Sequence, residues 1–188
     1  MDQAFYDALV DCPVIAAVKE EEGLKKSLSS DIQIIFILHG DLVTIPDMVD
    51  RIKAAGKLAI VHIDLISGLS SKEVAVDFIK KNTKADGIIS TKMPIIKRAK
   101  ELGLVTVFRF FVIDSMAFDN IKKQFDIVQP DLVEILPGLM PKIIKIMTKL
   151  VSVPVIAGGL IAEKADVIAA IEAGAISISS TNQETWFI

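Results

Sequence analysis

Residues 153–163 read VPVIAGGLIAE, an apolar run that breaks at two adjacent glycines and passes into a helical pattern. Glycine costs chain entropy, so the Gly158–Gly159 pair answers a backbone need. Two answers are open. The turn requires unusual dihedrals, or some group must approach the backbone closely. Either way, a buried strand, a short turn and a helix in succession form the unit of a parallel sheet, whose neighbouring strands are joined only by crossovers.

The same unit recurs on both sides of this stretch. Eight short apolar runs occur: VIAAVK (14–19), IQIIFILH (32–39), LAIVHID (58–64), GIIST (87–91), VTVFRFF (105–111), LVEILP (132–137), VPVIAG (153–158) and AISISS (175–180). Most gaps carry helical patterns, among them TIPDMVDRIKAAG, SSKEVAVDFIKKN, PIIKRAKELG, PKIIKIMTKL and EKADVIAAIEAG. In the first of these, Pro46 sits in the opening turn and Gly56 marks the stop. Eight alternations predict an α/β fold, a compact (β/α)₈ TIM-type barrel with phosphate-binding loops after strands 7 and 8. An open doubly wound sheet has the same periodicity, but no GxGxxG follows the first strand. The prediction is one barrel domain over 1–188, in which 1–12 forms a helix before strand 1. Phe5, Leu9 and Val10 of that helix would pack beneath the barrel or into a gap near strand 8.

That gap arises because only NQETWFI follows the last strand, so the final helix is shortened. Trp186, Phe187 and Ile188 would then form an exposed apolar end, and the expectation is a homo-oligomer whose partner covers it.

Composition supports this reading. The chain has 188 residues, 52% of them hydrophobic but only 6% aromatic, and a mean hydropathy of +0.51. Ile, Val, Leu and Ala supply that apolar mass, as expected of parallel strands buried on both faces. No uncharged run approaches the ~20 residues of a membrane-spanning helix, and the opening MDQAFYDALVDC is unlike a signal peptide. The single cysteine, Cys12, excludes an internal disulfide and reads as a small half-buried residue. A cytoplasmic location is expected, with no membrane partner. The formal net charge of −3 does not by itself announce a nucleic-acid binder. Lysines do gather on helices, as Lys80, Lys81 and Lys84, as Lys97, Arg98 and Lys100, and as Lys142, Lys145 and Lys149. Each cluster also reads as a solvated helix face. Two histidines and scattered acids show no metal-ligand spacing.

Alternation along the strands places charge inside the barrel. Asp64, His62 and Ile60 face inward on strand 3, Glu134 on strand 6, and Arg109 with Val107 and Phe111 on strand 5. Lys19 and Lys92 arrive at the ends of strands 1 and 4, and Ser179 at the end of strand 8. Buried charges need partners or a ligand, so Arg109 and Glu134 form a self-neutralising pair or part of a ligand site. His62 is open between a core histidine and a ligand contact; His39, in LHGD, reads as a loop residue. Barrels of this type often hold phosphate on the backbone after strands 7 and 8. Gly158 and Gly159 after strand 7, with Ser179, Ser180 and Thr181 closing strand 8, are therefore the candidate phosphate-binding residues. A ligand-free tight turn is the alternative for the glycines.

Taken in order, CPVIAAVK, HIDLISGL, DGIISTK, RFFVIDSMAF, VEILPG, PVIAGGLI and GAISISST resemble the glycerol uptake operon antiterminator regulatory proteins along essentially the whole chain. The resemblance implies a non-enzymatic, phosphate-binding barrel that senses glycerol 3-phosphate. Its liganded form would act on leader mRNA, preventing transcription termination upstream of glycerol-metabolism genes and stabilising the message. It further implies that Asp64, Lys92, Arg109 and Glu134 line the polyol end, while Gly159, Ser180 and their neighbours hold the phosphate. Glycerol 3-phosphate is expected as effector, with no cofactor. The competing expectation is an enzyme of phosphosugar lyase or isomerase type, using Lys92 as Schiff-base former or electrostatic stabiliser and Glu134 as general acid–base.

Overall fold

Each of the eight apolar runs forms a strand in the computed structural model, which describes Met1 and residues 3–187. The strands are β1 (Val14–Val18), β2 (Ile34–Ile37), β3 (Leu58–His62), β4 (Gly87–Ser90), β5 (Val105–Phe111), β6 (Leu132–Leu136), β7 (Val155–Gly158) and β8 (Ser177–Ser180). All neighbours are parallel, and β8 pairs back onto β1, so the sheet closes in the order β1 to β8. At that seam the Pro13 carbonyl accepts hydrogen bonds from the Ile178 amide and the Ser177 hydroxyl, at 2.8 and 3.0 Å.

The helices are α1 (Gln3–Asp11), α2 (Glu21–Ser29), α3 (Ile45–Ala54), α4 (Glu73–Asn82), α5 (Met93–Glu101), α6 (Met116–Ile127), α7 (Pro141–Leu150) and α8 (Lys164–Glu172). Seven of them, α2 to α8, follow a strand and bury an apolar stripe against the barrel's outer face. Strand residues divide by alternation. Val61, Ile63, Phe108, Val133 and Ile135 join the helix-facing core, whereas Ile60, Val107 and Leu132 fill the barrel interior. The inward register expected for β3, β5 and β6 is therefore the one observed within the strands, whereas Phe111, expected inward at the end of β5, is 51% exposed.

Helix α1 closes the lower end of the barrel. Phe5, Ala8 and Leu9 are buried with the interior residues Ile15, Phe36 and Val107. Val10 does not share this face and is 53% exposed. Positions 5, 8 and 9 lie one helical turn apart on a single stripe, and residue 10 is rotated about 100° off it.

Two further corrections concern strand ends and the C-terminus. β3 stops at His62, and Ile63–Leu65 form a 3₁₀ turn, so Asp64 stands just beyond the strand. In place of an eighth outer helix the chain makes a single 3₁₀ turn, Gln183–Phe187. Trp186, expected at the exposed end, is instead 4% exposed. Its ring lies over Gly23 of α2, where an added Cβ would come within 3.5 Å of the ring. Its Nε1–H donates to the Ser180 carbonyl at 2.9 Å. Phe187 is 62% exposed, as expected; Ile188 lies outside the described residues. A groove of about 550 Å³ remains between α8, the start of β1 and this turn, with half-buried Cys12 in its wall. Among the described residues, no helix is long and apolar enough to cross a membrane.

Candidate functional site

The parallel register sets Arg109 of β5 directly opposite Glu134 of β6. Both point into the barrel at its C-terminal end. Arg109 Nε donates to Glu134 Oε2 at 2.5 Å, and the Ser179 hydroxyl of β8 donates to Glu134 Oε1. Glu134 is wholly buried, so both oxygens need such donors. A carboxylate thus bridges strands 5, 6 and 8 from the barrel interior.

Gly158 belongs to this arrangement, and its role differs from the expected one. A Cβ there would lie 2.5 Å from Glu134 Oε1 and 2.8 Å from Ser179 Oγ. Gly158 has no positive φ and does not line the pocket described next. Its missing side chain makes room for Glu134. Gly159 is the glycine that the turn requires, with φ +77°, and Leu160 follows it at φ +65°. Two consecutive left-handed residues are uncommon when the second is not glycine, and such conformations cluster at ligand sites.

Above the Arg109–Glu134 pair lies a pocket of about 350 Å³ between the β7 and β8 loops. Arg109, Glu134, Gly159, Ser179, Ser180 and Thr181 are in its walls. The amides of Gly159, Leu160, Ile161 and Thr181 have no hydrogen-bond partner among the described residues. The loops are also tied together: the Ser180 hydroxyl donates to the Ile161 carbonyl at 2.7 Å and accepts from the Asn182 amide at 3.0 Å. Asn182 Nδ2 donates to the Ala162 carbonyl at 3.0 Å. The Ser180 side chain therefore braces the pocket, and the residues with the unpartnered amides line its walls. Unpartnered amides and a guanidinium around a cavity of this size are suited chemically to a small anion.

Besides Gly158, three expected residues fall outside these walls. Asp64 is occupied elsewhere: its carboxylate accepts from the Ser90 hydroxyl at 3.0 Å, the Thr91 amide at 2.7 Å and the Thr91 hydroxyl at 3.1 Å. It clamps the β3 turn to the end of β4. Lys19 and Lys92 stand exposed at the strand ends, and neither ammonium has a partner among the described residues.

His62 is 2% exposed and points inward, one layer below Arg109. Its Nδ1 lies 4.0 Å from Asp64 Oδ2 and has no hydrogen-bond partner. Burial, followed by the nearby Arg109 charge, lowers its pKa to about 4, and the ring is neutral at physiological pH. His39 is a half-buried loop residue whose Nδ1 meets the Val18 carbonyl at 3.2 Å. The Leu160 backbone and the Asn182 brace had no distinguishing pattern in the sequence, since each depends on a loop conformation.

Fold and mouth together define a (β/α)₈ barrel that presents loop amides after strands 7 and 8, where barrels of this type hold phosphate. A model of the family described as glycerol-3-phosphate responsive antiterminator matches residues 14–186, and the chain belongs to that family. It is 45% identical over 174 residues to the uncharacterized protein YgcP of Escherichia coli K12, covering 93% of this chain and 91% of that one. A glycerol uptake operon antiterminator regulatory protein from Listeria monocytogenes superimposes with a TM-score of 0.88 at 34% identity, over 92% of this chain and 94% of that one. A glycerol uptake operon antiterminator-related protein from Thermotoga maritima gives a TM-score of 0.81 at 30% identity, over 93% of this chain and 98% of that one. Aldolases of the same fold are 10–15% identical, a likeness of fold alone.

Proposed function

We propose that the protein is a glycerol 3-phosphate-responsive regulator, not an enzyme, whose liganded form binds leader mRNA and prevents transcription termination ahead of glycerol-metabolism genes. The observation that carries this reading is the set of four unpartnered amides around the pocket floored by Arg109. The phosphate sits on those amides, and the polyol extends toward Arg109 and the centre of the barrel mouth. Ligand bound there bridges the β7 and β8 loops and shifts the population toward the RNA-binding form. A lyase or isomerase built on Lys92 and Glu134 fits less well. Both Glu134 oxygens already accept hydrogen bonds, and Lys92 lies outside the pocket walls. The reading includes self-association across the groove left by the shortened last helix, where Phe187 and Ile168 are exposed; a monomer by light scattering refutes that part.

Thermal-shift titration with glycerol 3-phosphate, glycerol, inorganic phosphate and unrelated phosphosugars tests the ligand. Saturable stabilisation by glycerol 3-phosphate without turnover is expected, and consumption of any phosphosugar refutes the regulator. Leader-RNA binding measured with and without glycerol 3-phosphate tests the output.

A further inference from the structure

The chain is acidic overall, yet no Asp or Glu occurs between Glu134 and Glu163. Helix α7 lies in this interval and carries Lys142, Lys145 and Lys149. Their spacing of three and four residues sets them on one helical face, and all three are exposed. The stripe spans about 10 Å of helix axis. None of the three ammonium groups has a partner among the described residues. Several other basic groups are paired: Lys53 with Asp86, Lys84 with Asp50, Arg51 with Glu21, and Arg98 with Asp77 and Glu101. Lys80, Lys81 and Lys97 are exposed and unpaired too, but Glu73, Asp77 and Glu101 share their helices, whereas α7 carries no acid. Lys122 and Lys123 on the neighbouring α6 are exposed and unpartnered as well.

We infer that the α7 lysine stripe, flanked by Lys122 and Lys123, is the surface that receives the RNA phosphate backbone. This inference rests on the RNA-binding reading given above. A polyanion is repelled by most of a net-negative surface and attracted where acids are missing. A membrane is a poorer match, because the apolar side of α7, with Ile144 and Met147, is buried in the barrel core. The stripe contains no aromatic side chain on which a base could stack. It therefore grips phosphates and contributes little sequence discrimination. Its position also links it to the pocket. β5 carries Arg109 and leads into α6; β6 carries Glu134 and leads into α7. A ligand that pulls on the Arg109–Glu134 pair acts on the two strands from which the basic helices depart.

The test uses the full chain and a fluorescently labelled transcript of the glycerol-operon leader. Binding is followed by anisotropy over a salt series at saturating glycerol 3-phosphate. K142E/K145E/K149E should weaken binding at least tenfold and reduce the slope of log affinity against log salt by about 2 to 3, at roughly 0.7–0.9 per phosphate contact. K80E/K81E/K97E, placed on α4 and α5, should stay within about threefold of wild type. The milder K145Q should cost a few-fold. Unchanged thermal stabilisation by glycerol 3-phosphate certifies that each variant is folded. Wild-type affinity in the α7 variant, or an equal loss in the α4/α5 variant, overturns the assignment alone. If the wild-type protein takes up glycerol 3-phosphate yet binds no leader RNA, the RNA reading itself falls and the surface with it. Lysine-dependent binding to phosphatidylglycerol vesicles without RNA binding would reassign the stripe and also overturns the inference.

Discussion

Replacing Gly158 with alanine is the sharpest perturbation of the barrel mouth. The new methyl would lie 2.5 Å from Glu134 Oε1, 2.8 Å from Ser179 Oγ and 2.9 Å from Glu134 Cδ. Backbone strain does not contribute, because Gly158 has no positive φ. The conflict is therefore between the methyl group and a carboxylate with no exposure. Glu134 must move away from Arg109, Ser179 or both, leaving buried charge underpaired. Breaking a buried pair costs about 3–5 kcal/mol. For a chain of this length each kcal/mol lowers Tm by about 2–4 °C, so the expected drop is roughly 6–20 °C. Calorimetry supplies the Tm, and a double-mutant cycle with Glu134→Ala isolates the cause. In the Glu134→Ala background the alanine at 158 meets no carboxylate, and its cost should fall by at least about 1.5 kcal/mol. If the two substitutions add without coupling, the claim that Gly158 exists to seat Glu134 is wrong. Loss of glycerol 3-phosphate stabilisation should accompany Gly158→Ala, since Arg109 loses its anchor.

Gly159→Val places a β-branched residue at φ +77° and should abolish stabilisation by glycerol 3-phosphate while circular dichroism still reports the barrel; retained binding refutes the amide cradle. His62, with its folded pKa lowered to about 4, binds its proton more readily when unfolded. Wild-type stability should therefore fall more steeply than that of His62→Gln as pH drops from 6.5 to 4, by up to about 3 kcal/mol; parallel denaturation curves across that window would count against the neutral buried ring. Trp186→Ala should cost about 3–5 kcal/mol in chemical denaturation. Trp186→Phe, which keeps the ring but loses the bond to the Ser180 carbonyl, should cost about 1 kcal/mol. An Ala variant within 1 kcal/mol of wild type would show that the terminal turn is not docked.

The barrel and the inward register of its charged strands were legible from sequence because they depend on local rules. Alternation fixes which side of β5 holds Arg109, and an acid two strand-widths or fewer away is required to neutralise it. Other features depend on contacts between distant positions. Gly158 reads as a ligand seat until Glu134, 24 residues earlier, is seen to occupy the space. Asp64 reads as a ligand contact because nothing in HIDLIS reveals that Ser90 and Thr91 will claim its oxygens. Trp186 reads as exposed because the missing side chain that admits it belongs to Gly23. Polar groups in a barrel mouth advertise a need for partners, but not which partner answers.

The seam between β1 and β8 has a consequence for how the chain is made. As the protein emerges during synthesis, β1 to β7 can assemble only into an open sheet with an unpaired strand at each side. Such edges invite pairing with strands of other chains. The short segment from Ser177 onward removes both edges at once, and with Trp186 it also locks the closing strand in place. A transcript truncated shortly before this segment would yield seven of the eight strands, yet a product prone to aggregate.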